Sequence, residues 1–168
     1  MARKLTNRGF TLIEIAVVVM LIGIMLVFTA PRLPDDLLTD PIKKTSRWMI
    51  LTVQNLKDRA VREHKTYSLH VEIDNDRIWI TDESMSEEAQ QAARSDALDL
   101  PDGIQIMDVE YPDMEKRLSG QATVSFYKQG YSDRAMIHLA TGDGRLTYQV
   151  EPFLSRLKYH EGYVGFEK

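Results

Sequence analysis

Arg8-Gly9-Phe10-Thr11-Leu12-Ile13-Glu14 opens an apolar run that continues to Ala30 without a second charge. From Phe10 to Ala30 that is about 21 residues, roughly what a bilayer-spanning helix needs. Three cations, Arg3, Lys4 and Arg8, precede it, and nothing as hydrophobic follows. Residues 15–28 are apolar on every helical face, which calls for lipid or a packed bundle on all sides. Glu14 is the exception. A carboxylate near mid-membrane costs about 2.5–3.5 kcal/mol on insertion scales, so such a residue is normally kept because something pairs with it.

The 168 residues leave room for one such segment and one globular domain. With 43% hydrophobic and 27% charged residues the chain reads as folded rather than disordered. Its formal charge is −4, and the part beyond the leading cations is more acidic still, which argues against nucleic acid as the main partner. The absence of cysteine excludes disulfides, thiol catalysis and cysteine-based zinc sites.

Three readings compete for residues 1–31. A secretory signal peptide has a shorter apolar core and a small-x-small cleavage site. Here the run is too long, carries Glu14, and ends in Phe28-Thr29-Ala30-Pro31. A plain anchor fits the length and the cationic flank, but leaves Glu14 and the Gly9-Phe10 junction without a reason. Residues 8–14 resemble the processing motif of the type IV prepilin and pseudopilin family almost residue for residue. The resemblance implies that a prepilin peptidase removes residues 1–9 by cutting between Gly9 and Phe10, and that the new amine of Phe10 is methylated. It also implies an assembly role for Glu14, whose carboxylate would neutralise the N-terminal amine of a neighbouring subunit. A buried charge with a partner is tolerable where a lone one is not.

Beyond a transmembrane or filament-core helix over 10–31, Pro31 and Pro34 predict a break around residues 31–40. Asp40-Pro41 then reads as a helix start, with Asp40 or Thr39 as cap. Ile42, Met49, Val53, Leu56 and Ala60 recur at helical spacing with Trp48 beside them, predicting an amphipathic helix over about 40–64. Its basic face (Lys43, Lys44, Arg47, Lys57, Arg59, Arg62) reads as solvated. Strands follow from about 66 to 166, beginning with a hairpin of 67–73 and 77–81 around Asp74-Asn75-Asp76. Residues 84–97 lack a broad apolar face and read as a short exposed helix or an acidic insertion. Strand candidates 104–111, 123–127, 135–139, 146–150 and a closing strand 162–166 complete an α+β domain, a long N-terminal helix packed on an antiparallel β-sheet head.

That order is also the pilin architecture. Residues 126–130, 137–139, 148–152 and 162–164 look like the C-terminal layout of the GspH/FimT group of minor pseudopilins and pilins, although 153–160 is longer and more charged than a minimal ending. The resemblance implies a minor pseudopilin of a type II secretion system, a structural subunit of a periplasmic pseudopilus that helps export folded proteins. It places the chain in the inner membrane as a single pass, N-terminus cytoplasmic and residues 32–168 periplasmic. The implied partners are other major and minor pseudopilins, met through the N-terminal helix, and the prepilin peptidase. Two alternatives stand: a FimT-like minor type IV pilin serving pilus assembly, adhesion or DNA uptake, and an anchored periplasmic binding domain that never polymerises.

No catalytic residues are expected. The four histidines (64, 70, 138, 160) lack metal-ligand spacing, with His70 and His138 reading as ordinary sheet residues, and no nucleotide-binding or nucleophile motif is present. The acidic residues at 74–76, 82–83, 133 and 143 are better read as turns than as a calcium site. No cofactor, metal, small-molecule ligand or nucleic acid is expected.

Overall fold

The computed structural model describes residues 10–29 and 41–166, so the expected break at 31–40 and the cap at Thr39 or Asp40 lie outside them. The chain divides into two compact units at the Thr39–Asp40 boundary. Within the first, helix α1 spans Leu12–Thr29. Eighteen residues rise about 27 Å, short of a hydrocarbon core of about 30 Å. Among the described residues no helix is long and apolar enough to cross a membrane.

The second unit begins with α2 (Pro41–Glu63), whose buried positions are Thr45, Met49, Val53, Leu56 and Ala60. Steps of three and four residues keep them on one stripe. Thr45 was absent from the expected stripe, and Ile42 is only partly buried. The helix ends with His64 at φ 52° and the Lys65 amide donating to the Ala60 carbonyl at 3.2 Å, a Schellman closure made without glycine.

Among the described residues eight strands follow, with a short helix among them. β1 (Tyr67–Glu72) and β2 (Arg77–Asp82) form the expected hairpin. Helix α3 (Glu87–Ser95) buries no residue; Ser86 caps it by accepting from the Ala89 amide. β3 (Leu98–Asp99), β4 (Ile104–Glu110), β5 (Gln121–Phe126), β6 (Ala135–Thr141), β7 (Gly144–Val150) and β8 (Lys158–Glu161) complete the set.

These strands make two antiparallel sheets where the sequence reading had one, ordered β3-β2-β1-β5 and β4-β6-β7-β8. After β3 the chain crosses to the second sheet for β4, returns for β5 beside β1, then finishes with β6, β7 and β8. One cluster of buried side chains joins α2 to both sheets, including Met49, Val53, Leu56, Leu69, Val71, Val124, Ile137 and Tyr148. Each large apolar side chain there contributes about 1.5–3 kcal/mol. The α+β class therefore holds, with a two-sheet head.

A second correction concerns the end of the chain. The last strand is β8, and residues 162–166 form none. Gly162 at φ 95° turns the backbone out of the ladder. Beyond it the Thr147 hydroxyl takes over from the ladder, donating to the Gly162 carbonyl at 2.8 Å and accepting from the Val164 amide at 3.0 Å.

Candidate functional site

Of the residues singled out by the sequence, Gly9 lies outside the described residues. Phe10 and Thr11 precede α1, and Phe10 is 79% exposed. Thr11 caps the helix: the Glu14 amide donates to its carbonyl at 3.0 Å and reaches its hydroxyl at 3.4 Å. Thr11-Leu12-Ile13-Glu14 has the spacing of a capping box, in which the acid returns a bond to the cap's own amide. That return bond is missing. Among the described residues the Glu14 carboxylate has no ion-pair or hydrogen-bond partner, and every side chain from Phe10 to Met25 is exposed.

Charges in the head are handled differently. Lys57, expected on a solvated face, is half-buried and donates to the carbonyls of Glu151 and Leu154. Burial pushes its ammonium below the usual lysine range, and the Glu151 carboxylate opposes that shift. Arg59 pairs with Glu63 at 3.0 Å and donates to the Tyr67 hydroxyl, which in turn donates to Glu63. Hydrogen bonding from Arg59, then from Tyr67, holds Glu63 below the ordinary carboxylate range. Across the first sheet, Arg94 of α3 pairs with Glu72 and lies over the Trp79 ring at 5.4 Å, which pins the exposed helix to the sheet.

His138 does sit in a strand, but fully buried and on specific partners. Its Nδ1 bonds Asp108 Oδ1 at 2.7 Å, its Nε2 bonds the Val164 carbonyl at 2.8 Å, and Tyr163 stacks on the ring at 3.9 Å. Tyr163 donates to Asp108 and accepts from Lys116 at 2.8 Å. This network ties residues 162–166 onto β4 and β6 and holds no free nucleophile. The acidic turns are likewise engaged with backbone: Asp74 accepts from the Gly120 amide, Asp76 from Ile106, and Asp82 from Ser84. Among the described residues no three His, Asp or Glu side chains converge to hold a metal.

The sheet edges were not legible from sequence, because they depend on contacts far along the chain. On β5, the Tyr111 hydroxyl bonds both the carbonyl and the amide of Thr123, and Asp133 bonds both backbone groups of Ser125. On β4, Val109 exchanges two backbone bonds with Arg117. β3 is two residues long. These are ways of blunting an edge. β8 has no such cover among the described residues.

The ends of the chain match known proteins separately. Residues 4–30 match the family described as "Prokaryotic N-terminal methylation motif". The chain is similar to the crystal structure of the minor pseudopilin EPSH from the type II secretion system of Vibrio cholerae, at TM-score 0.54 and 10% identity, covering 77% of this chain and 99% of that one. A second structure of EpsH from the same organism gives TM-score 0.49 at 10% identity, covering 71% and 95%. No curated protein matches in sequence. The chain thus carries a methylation motif at its N-terminus and a fold similar to that of these structures. The fold is like that of a minor pseudopilin.

Proposed function

We propose that the chain is a minor pseudopilin of a type II secretion system, similar to the H-type subunit, and acts as a structural rather than catalytic component. Residues 1–9 are a cytoplasmic leader removed by a prepilin peptidase. The remaining N-terminal helix holds the chain in the inner membrane with its head periplasmic, then packs among other pseudopilins in a short filament. The observation that carries this reading is α1. Its side chains from Phe10 to Met25 are exposed, and its one charge has no partner among the described residues, in a segment that matches the methylation motif. The amine released at Phe10 is a partner of the right sign, and pairing offsets the cost of burying Glu14. The likeness of the fold to EpsH supports a pseudopilin role.

Mass spectrometry of the chain recovered from cells making the peptidase tests the reading. A mature N-terminus at a methylated Phe10 is expected. A chain still beginning at Met1 or Ala2 would overturn it.

A further inference from the structure

We infer that residues 162–166 are a hinged strap that opens as a unit about Gly162, without unfolding of the head, and uncovers an acid–histidine face on the second sheet. The inference goes beyond the proposed filament role and does not rest on it.

Residues paired across a sheet share a face. The register sets Asp108 opposite His138 and His138 opposite Thr147, and in the next row Glu110 opposite Met136 and Met136 opposite Gln149. These side chains point away from the core residues Ile137, Leu139, Tyr148 and Val150, which alternate with them along β6 and β7. Five of these six residues are polar, yet all six are buried. The strap is what shields them. Tyr163 stacks on the His138 ring at 3.9 Å, and the Val164 carbonyl bonds His138 Nε2 at 2.8 Å. Gly165 lies so close to Glu110 that a Cβ there would meet a carboxylate oxygen at 3.0 Å.

The strap is lightly fastened. The Gly162 amide donates to the Arg145 carbonyl at 2.7 Å, and among the described residues no backbone–backbone bond is made beyond it. From there the chain is held by side chains: the Thr147 hydroxyl on Gly162 and Val164, His138 on Val164, and Lys116 and Asp108 on the Tyr163 hydroxyl. None of residues 162–166 is itself buried, and none belongs to the hydrophobic core. Lifting the strap therefore gives up polar contacts that water replaces, each worth little net, and hardly any apolar burial. The Asp108–His138 bond of 2.7 Å joins two paired residues of the sheet and stays made. Gly162, at φ 95°, supplies the hinge. A cavity of about 540 Å³ beside Val164, Gly165 and Phe166 leaves room for the segment to move.

The test is native-state amide exchange, resolved to single residues, on the full chain in detergent at a series of low urea concentrations. Val164 is expected to exchange about a hundredfold or more faster than Ile137 and Leu139. Its rate is also expected to be nearly independent of urea, because opening exposes little surface, while theirs rises steeply. Thr147→Val keeps the shape of the side chain and removes its hydroxyl, and is expected to speed exchange at Val164 about tenfold. Gly165→Ala, which crowds Glu110 only while the strap is closed, is expected to speed it about fivefold. Carbethoxylation of His138, read by peptide mass, is expected to follow Val164 in its indifference to low urea. Exchange at Val164 with the rate and urea dependence of Ile137, in the native chain, would overturn the inference. So would unchanged exchange at Val164 in both variants, or a His138 that reacts only as the head unfolds.

Discussion

Helices α1 and α2 differ in what their own chain does for them. α2, of 23 residues, turns five buried side chains inward and gives its half-buried cation, Lys57, backbone carbonyls to donate to. α1, of 18 residues, turns nothing inward: its described side chains are exposed all round, and its one charge, Glu14, has no partner among the described residues. A helix stabilised by its chain carries one apolar face, whereas a helix covered from outside carries apolar residues on all of them. On the proposed function, the partners of α1 are other subunits. The difference separates two kinds of mutation, those felt in folding and those felt in assembly.

Glu14→Ala sharpens the comparison most. It removes the one charge of the apolar segment, which is unfavourable in a membrane, so membrane insertion is expected to be unchanged or improved. On the proposed pairing, incorporation into filaments is expected to fall severely, because the neighbour's amine would lose its counter-charge. Cross-linking of assembled subunits, compared with membrane fractionation of the same cells, separates the two. Undiminished incorporation would break the pairing role.

A matched pair of methionines gives the next largest effect. Met49 is fully buried and Met20 is 67% exposed. Met49→Ala is expected to destabilise the head by about 2–5 kcal/mol, through lost burial and the cavity left behind. Met20→Ala is expected to change head stability by less than about 0.5 kcal/mol. Urea unfolding of each full-length variant in detergent, followed by the fluorescence of the head's Trp48 and Trp79, measures both. Comparable losses would mean that the two units are not independent in stability.

Local patterns were the legible part of this chain. The motif at residues 8–14, the 3.6-residue stripe of α2 and the alternation of β1 and β2 can each be read in a short window. What escaped depends on partners distant in sequence. Lys57 reads as one more cation on a basic face until the loop at 151–154 presents its carbonyls. His138 reads as a sheet residue until Asp108 and Val164 converge on its ring. Residues 162–166 read as a closing strand, with Tyr163-Val164 and Phe166 strand-like. Gly162 turns the chain before them, and the side chain of Thr147, far back on β7, replaces the ladder. The division into two sheets likewise rests on where β4 crosses, which no local window contains. For Phe10 and Glu14 only the motif was informative, since a carboxylate without a partner among the described residues becomes visible once the structure shows what it fails to touch.

The smallest expected effect concerns His70, which contrasts with Glu14 as a polar group satisfied inside its own chain. It stacks on Trp79 at 5.1 Å, with Nε2 on the Thr81 hydroxyl at 2.8 Å and the Gln121 amide nitrogen on Nδ1 at 2.8 Å. An amide donor at Nδ1 makes Nε2 the protonated nitrogen, and a second proton would have to face that donor. Burial pushes the imidazole below its usual value. The unfolded chain, with histidine near about 6.5, therefore binds more protons than the folded one below that pH. Stability from this group is fully present above about pH 6.5 and is lost as pH falls toward the depressed folded value. Comparing urea midpoints at about pH 7.5 and 5.5 keeps the measurement above the range in which Glu63, Glu72 and Asp82, all held low by their partners, titrate. A small drop in midpoint on acidification is expected for the native chain, and a smaller one for His70→Gln, which keeps a polar side chain there without the titration. An identical drop in both would assign the pH dependence to another group and leave His70 a structural residue only.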